Sequence, residues 1–272
     1  RNAYDTAGDE AIRSIMGGMF FTSGVENICA PCTVGGVDYP MHGRMRATPG
    51  EHLCADAFWA ADGYHLRASA EMREAALFGE NMTRRRTVET GYGTKTVTVT
   101  DVFENQGFRD EPLMLLYHIN LGWPFLDESL RLYLPTRKVA PRDAGAEGHE
   151  DAYDRMDPPK DDEPEYVFIH DLAPEADGTL RAVAVNGALG LGLEVAWNEA
   201  NLPYFMQWKF VASGDYVIGL EPANSSVYGR PCHEALGSVH RLAPFATETN
   251  VLTFTVLDGE DDIDQAISRI KK

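Results

Sequence analysis

An all-β fold, an antiparallel sandwich or barrel, is what this sequence predicts, and three observations predict it. Residues 95–103, Lys-Thr-Val-Thr-Val-Thr-Asp-Val-Phe, alternate polar and apolar with period two, as half-buried sheet does. Further strand-like runs recur along most of the chain, separated by Gly, Pro, Asn and Asp. No helical stretch of βαβ type lies between them, which excludes a parallel α/β architecture.

Taken in order, the runs at 66–71 and 83–89 have strand composition and lead into 95–103. Others follow at 113–118, 130–134, 180–185, 189–196, 204–211, 215–221 and 251–257. Residues 141–164 stand apart: they are acidic, contain Pro, and end in Asp157-Pro-Pro-Lys-Asp-Asp-Glu-Pro, so they predict a surface excursion or lid and not core. Ile263, Ile267 and Ile270 lie at helical spacing in a charged segment and predict a short amphipathic C-terminal helix. With neither an internal repeat nor a linker, residues 1–272 read as one domain.

Composition bounds the function. With 44% hydrophobic and 24% charged residues, the chain is globular and large enough to bury a real core. A net charge of −18 would repel a nucleic-acid backbone or an anionic membrane surface, and suits an uncharged small ligand. No apolar run approaches membrane-spanning length and no signal segment opens the chain, so a cytoplasmic location is expected. Four cysteines are too few for a disulfide framework. Cys29 and Cys32 form a single C-x-x-C without the second pair a structural zinc needs, so no metal is expected.

Three stretches carry chemistry. In Leu115-Leu-Tyr-His-Ile-Asn-Leu-Gly-Trp-Pro-Phe125, a histidine and an asparagine end an apolar strand. Period two puts His118 on one face with Met114 and Leu116, where it is either a core histidine bonded to a carbonyl or a working group. In Asp215-Tyr-Val-Ile-Gly-Leu-Glu-Pro-Ala-Asn224, Val217, Gly219 and Glu221 share a face opposite Tyr216, Ile218 and Leu220. Gly219 leaves room for a ligand ring beside the Glu221 carboxylate, whose burial without a partner is costly; a salt bridge is the alternative. In Tyr39-Pro-Met-His-Gly-Arg44, His42 and Arg44 offer donors suited to hydroxyls or a carboxylate. Arg84, Arg85 and Arg86 read as a solvated strand edge and stay outside the candidate site.

In this order the three stretches resemble the aldose 1-epimerase (galactose mutarotase-like) superfamily, in a bacterial branch of aldose 1-epimerase-like proteins, over residues 17–257. His118, Asn120 and Leu121 resemble the family's central histidine segment. Glu221 in Gly-Leu-Glu-Pro resembles its catalytic glutamate, and His42-Gly43-Arg44 is similar to the sugar-binding His-Gly segment of hexose-phosphate mutarotases. The resemblance implies a large antiparallel β-super-sandwich with a groove across one sheet, and family members carry more chain before Arg1. It places a second binding pair only by position, at His170 and Asp171.

What it implies functionally is interconversion of sugar anomers by acid–base ring opening, with His118 and Glu221 catalytic and no cofactor. His42, Arg44, Asn120, Trp208, Lys209 and Asn224 are the candidates for binding the sugar. Each has a plainer role open to it: Trp208 as core, Lys209 as a solvated cation. A non-catalytic carbohydrate-binding module and an isomerase or lyase acting on a modified sugar remain as alternatives, and a homo-oligomer is compatible with all of them.

Overall fold

The computed structural model describes residues 18–270. In chain order the strands begin with β1 (Phe20–Ser23), β2 (Cys32–Val34) and β3 (Val37–Tyr39). A meander follows: β4 (Glu51–Ala60), β5 (Gly63–Ala75), β6 (Asn81–Gly91) and β7 (Thr96–Asn105). After β8 (Glu111–Pro112) come β9 (Leu116–Leu121), β10 (Leu130–Tyr133), β11 (Thr136–Pro141) and β12 (Tyr166–Leu172). Next are β13 (Thr179–Asn186), β14 (Leu191–Asn198), β15 (Tyr204–Phe210) and β16 (Val217–Ala223). Helix α1 (Gly229–Leu236), β17 (Arg241–Leu242), β18 (Thr247–Asp258) and helix α2 (Glu260–Ile270) complete the chain. No helix among the described residues is long and apolar enough to cross a membrane.

The chain forms two compact units, residues 18–117 with 223–251, and residues 118–222 with 252–270. In the first, β4 to β7 pair antiparallel in sequence order. Register lines up Met72, Arg84 and Phe103 across β5, β6 and β7, and Ala70, Arg86 and Asp101 beside them. Period two therefore turns Met72, Met82 and Phe103 to one face, where they pack with Val25, Met45, Leu113, Leu115 and Leu242. Arg84 and Arg86 share that face. The sequence expectation of a solvated edge fails here because β6 has a neighbour on each side: Arg84 is buried, and Arg86 forks onto the buried Asp101 at 2.8 and 2.5 Å. Only Arg85 points outward. Helix α1, which the strand pattern did not announce, ends where Gly237 takes a left-handed φ of 63° and its N–H closes onto the last turn.

The second unit has two sheet layers. One runs β9-β16-β15-β12-β11 and the other β10-β13-β14-β18. In the first layer the register pairs Tyr166 with Lys209, Phe168 with Gln207 and His170 with Phe205, which share a face; Val167 and Trp208 form a pair on the other. Phe205 stacks on Trp197 of the second layer at 5.4 Å, so the Phe205 face is the one turned to the core. Helix α2 carries Glu260, Asp261 and Asp262 in its first turn, where the helix dipole favours anions. It buries Ile263 and Ala266 against Val183, Val185 and Leu257, with Ile267 and Ile270 beside them, as the spacing predicts.

Residues 141–164 differ from the expectation of an excursion standing off the core. Their acidic side chains are largely outward, but Ala146 and Met156 are buried, and Ala146 packs with Tyr166 and Phe168 while Tyr153 lies alongside. The segment is stapled to the core face of the sheet. Lys209 Nζ donates to Ala152 O at 2.9 Å, Gln207 Nε2 to Tyr153 O at 2.7 Å, and Tyr216 OH to Asp157 O at 2.6 Å. Charge made the segment read as solvent-exposed. Its few apolar residues and its backbone carbonyls are what the sheet uses.

Candidate active site

In the first layer of the second unit, β9 is the neighbour of β16, β16 of β15, and β15 of β12. That order sets His118, then Gly219 and Glu221, then Trp208, then Glu165 at the head of β12 in a row. His118 Nε2 stands 3.1 Å from Glu221 Oε1, and both side chains are buried. The His118 ring meets the Trp208 indole edge-on, with centroids 5.6 Å apart and planes at 79°. Asn120, two residues along β9 and on the same face, hydrogen-bonds His118 through its side chain.

Gly219 makes this arrangement possible. A Cβ at this position would come 3.0 Å from Glu221 Oε1, 3.1 Å from His118 Cε1 and 3.2 Å from Trp208 Cβ, so tight that these neighbours would have to give way by a few tenths of an ångström. The missing side chain lets the carboxyl, the imidazole and the indole converge on one spot.

Burial governs the protonation of the pair. It pushes the Glu221 carboxyl up to about 8, with the Glu165 charge adding and the Arg142 charge opposing. It pulls the His118 imidazole down to about 4, against the Asn120 hydrogen bond. Solution values would put a proton on the histidine and a charge on the glutamate near neutrality. Removal from water disfavours both charges, so the pair keeps its one proton on Glu221, whose O–H then donates to His118 Nε2.

The other sequence candidates are placed differently. Trp208 joins the row, its Nε1 donating to Glu165 Oε2 at 2.8 Å. Lys209, its neighbour in β15, points to the opposite face, where it is 1% exposed and held by Ala152 O and by Asp157 at 3.4 Å. The expectation that Lys209 serves the same site as Trp208 runs against strand period two. His170 is likewise on the core face, between Gln207 Oε1 and Thr136 Oγ1 at 3.1 Å each, while Asp171 is exposed and faces Arg137.

His42, Arg44 and Asn224 belong to the first unit. His42 Nδ1 lies 2.8 Å from Ser23 Oγ, and Arg44 pairs with the buried Glu26 at 2.8 Å. Asn224 ties two loop residues together, accepting from Leu115 N at 2.7 Å and donating to Leu113 O at 2.6 Å, a structural use of the side chain. Sequence reasoning missed Glu165 and Arg142. Glu165 closes an acidic run that reads as solvated, and its one signal is its position directly before the apolar Tyr166-Val-Phe-Ile. All four cysteines are free thiols, and among the described residues no group of three or more His, Cys, Asp or Glu is placed to hold a metal.

Residues 1–256 match the model of a family described as a domain of unknown function, DUF4432. The chain belongs to the DUF4432 family. Among solved structures, this DUF4432 chain is similar to a candidate aldose 1-epimerase from Klebsiella pneumoniae, at 24% identity and a TM-score of 0.89, over 94% of this chain and 68% of that one. A galactose mutarotase-like protein from Clostridium acetobutylicum matches at 13% identity and a TM-score of 0.66, over 91% and 81% of the two chains. A candidate aldose 1-epimerase from Escherichia coli K12 matches at 14% and 0.56, over 92% and 87%. No curated protein matches. The DUF4432 chain thus has the galactose mutarotase-like β-sandwich fold, as the sequence resemblance implied.

Proposed function

We propose that this protein interconverts the anomers of an aldose by opening and reclosing the sugar ring, with Glu221 and His118 as the acid and base. The observation that carries the reading is the buried Glu221–His118 pair, 3.1 Å apart where Gly219 lets the two side chains converge. Ring opening needs one proton delivered to the ring oxygen and one removed from the C1 hydroxyl. Those oxygens are bonded to the same carbon, so two side chains within hydrogen-bond distance of each other can serve both.

The Glu221 O–H protonates the ring oxygen while neutral His118 takes the C1 hydroxyl proton, and the bond from C1 to the ring oxygen breaks to give the open-chain aldehyde. Rotation about C1–C2 presents the other face of the aldehyde. On reclosure the ring hydroxyl returns its proton to Glu221 and His118 returns its proton to the C1 oxygen, so the pair ends as it began. The fold likeness to candidate aldose 1-epimerases supports a sugar as the substrate class.

The test is anomer exchange followed by saturation-transfer NMR across a panel of aldoses and sugar phosphates. Acceleration by the wild type that is lost in Glu221→Gln and His118→Ala is the expected result, and it names the sugar class. Exchange no faster than buffer for every sugar rejects the reading for that panel; sugar binding without exchange would then indicate a carbohydrate-binding module.

A further inference from the structure

The His118–Glu221 pair is backed by a chain of contacts that proton exchange alone does not require. Glu165 accepts from Trp208 Nε1 on one oxygen at 2.8 Å and from Arg142 Nη2 on the other at 3.0 Å. Arg142 Nε donates to Asp143 Oδ2 at 2.6 Å, and Asp143 Oδ1 accepts the backbone N–H of Gly145 at 3.0 Å. Glu165 is 45% exposed, and a carboxylate at the surface needs only water. This one has both oxygens engaged, one by a single indole donor and one by a guanidinium, which fixes its plane and through it the indole.

We propose that Glu165, clamped by Arg142, is a positioning residue of the site: it holds the Trp208 indole against His118 and keeps a negative charge facing Glu221. The inference rests on reading His118 and Glu221 as the reacting pair. The charged and titratable groups facing Glu221 in this unit are His118 from β9, Glu165 from the head of β12, and Arg142 from the segment after β11, with Asp143 behind it. On this face β15 contributes no charged side chain: Tyr204, Met206, Trp208 and Phe210 share it, and Lys209 is turned away. Glu165 is therefore the negative charge that favours the protonated form of Glu221, and Arg142 tempers it.

The test is a carboxyl-carbon NMR titration of the whole protein, with Glu221 assigned by its absence in Glu221→Gln and the Trp208 indole N–H assigned in Trp208→Phe. In Glu165→Gln the Glu221 midpoint is expected to fall by about one pH unit, because the charge is lost and Arg142 is released toward Glu221. The Trp208 indole signal stays in place there, since an amide oxygen still accepts its proton, and moves in Glu165→Ala. An unchanged Glu221 midpoint in Glu165→Gln, or an indole signal indifferent to Glu165→Ala, overturns the proposal. Neither readout needs turnover. Both shifts in a protein that exchanges no anomers would support the positioning role and count against the reaction alone.

Discussion

The two faces of a single sheet in the second unit use polar residues in opposite ways. On the core face, Lys209, Gln207, His170 and Tyr216 each have a fixed partner, most of them supplied by residues 152–157. On the other face, one residue away along the same strands, Glu221, His118 and Trp208 gather around a glycine. The first arrangement satisfies buried polar groups and stabilises the fold. The second holds a carboxyl and an imidazole away from water with a proton to exchange, the condition for acid–base work. Under the proposed function, neighbouring residues of one strand serve stability on one face and chemistry on the other.

Substitutions on each side should separate those roles, and the largest effect is expected at the pair. Glu221→Gln should cut anomer exchange roughly 10²- to 10⁴-fold while the protein remains folded by circular dichroism. A rate within a factor of three of wild type would remove Glu221 from the chemistry. Lys209→Ala should do the converse: it leaves a void and orphans Ala152 O, lowering stability in urea by about 2–4 kcal/mol with kcat and KM near wild type. A large fall in kcat there would break the division between faces.

The pH dependence of stability sharpens the same contrast. Glu221 holds its proton in the folded protein up to about 8 but in the unfolded chain only to about 4.5, so the folded state binds more protons between those values. Its contribution is present at low pH and is lost as pH rises through 8. His118 and His170, both pulled down to about 4, act in the opposite sense below 6.5, where the unfolded chain binds the extra protons. Between pH 6.5 and 8 Glu74 and His240, whose pKa values are also raised, act in the same sense as Glu221, whose own part is a loss of about 2 kcal/mol, the part of the slope that Glu221→Gln removes. Parallel curves for the two proteins would mean that Glu221 titrates normally.

The smallest effect is expected from Gly219→Ala, which should cost about 1–2 kcal/mol as the methyl presses on Glu221, His118 and Trp208. Anomer exchange should fall more than stability does. Wild-type exchange in this variant would show that the close approach of these three side chains at residue 219 does not matter to the reaction.

Much of the architecture could be read from local pattern. The alternation over 95–103 became β7, and the faces assigned to Tyr216, Ile218, Leu220 and to Val217, Gly219, Glu221 are the faces observed. Strand β4 escaped notice because its Ala-rich run Glu-His-Leu-Cys-Ala-Asp-Ala-Phe-Trp-Ala is exposed on both sides and carries no burial pattern to detect. Strand β12 escaped because Tyr-Val-Phe-Ile is apolar on both faces and abuts an acidic loop, so it lacks alternation.

The chain alone therefore settled the strand period, the all-β class and the helical spacing of Ile263, Ile267 and Ile270, because each depends on residues within a few positions of one another. Which strands became neighbours, and hence that His118 meets Glu221, was set by long-range pairing of β9 with β16. Which face of β15 is covered, and so why Lys209 is structural while Trp208 lines the pair, depended on where residues 141–164 fold back. Protonation is decided at the same level: a carboxyl rises to about 8 only when the surrounding fold takes it out of water, and no local pattern records that.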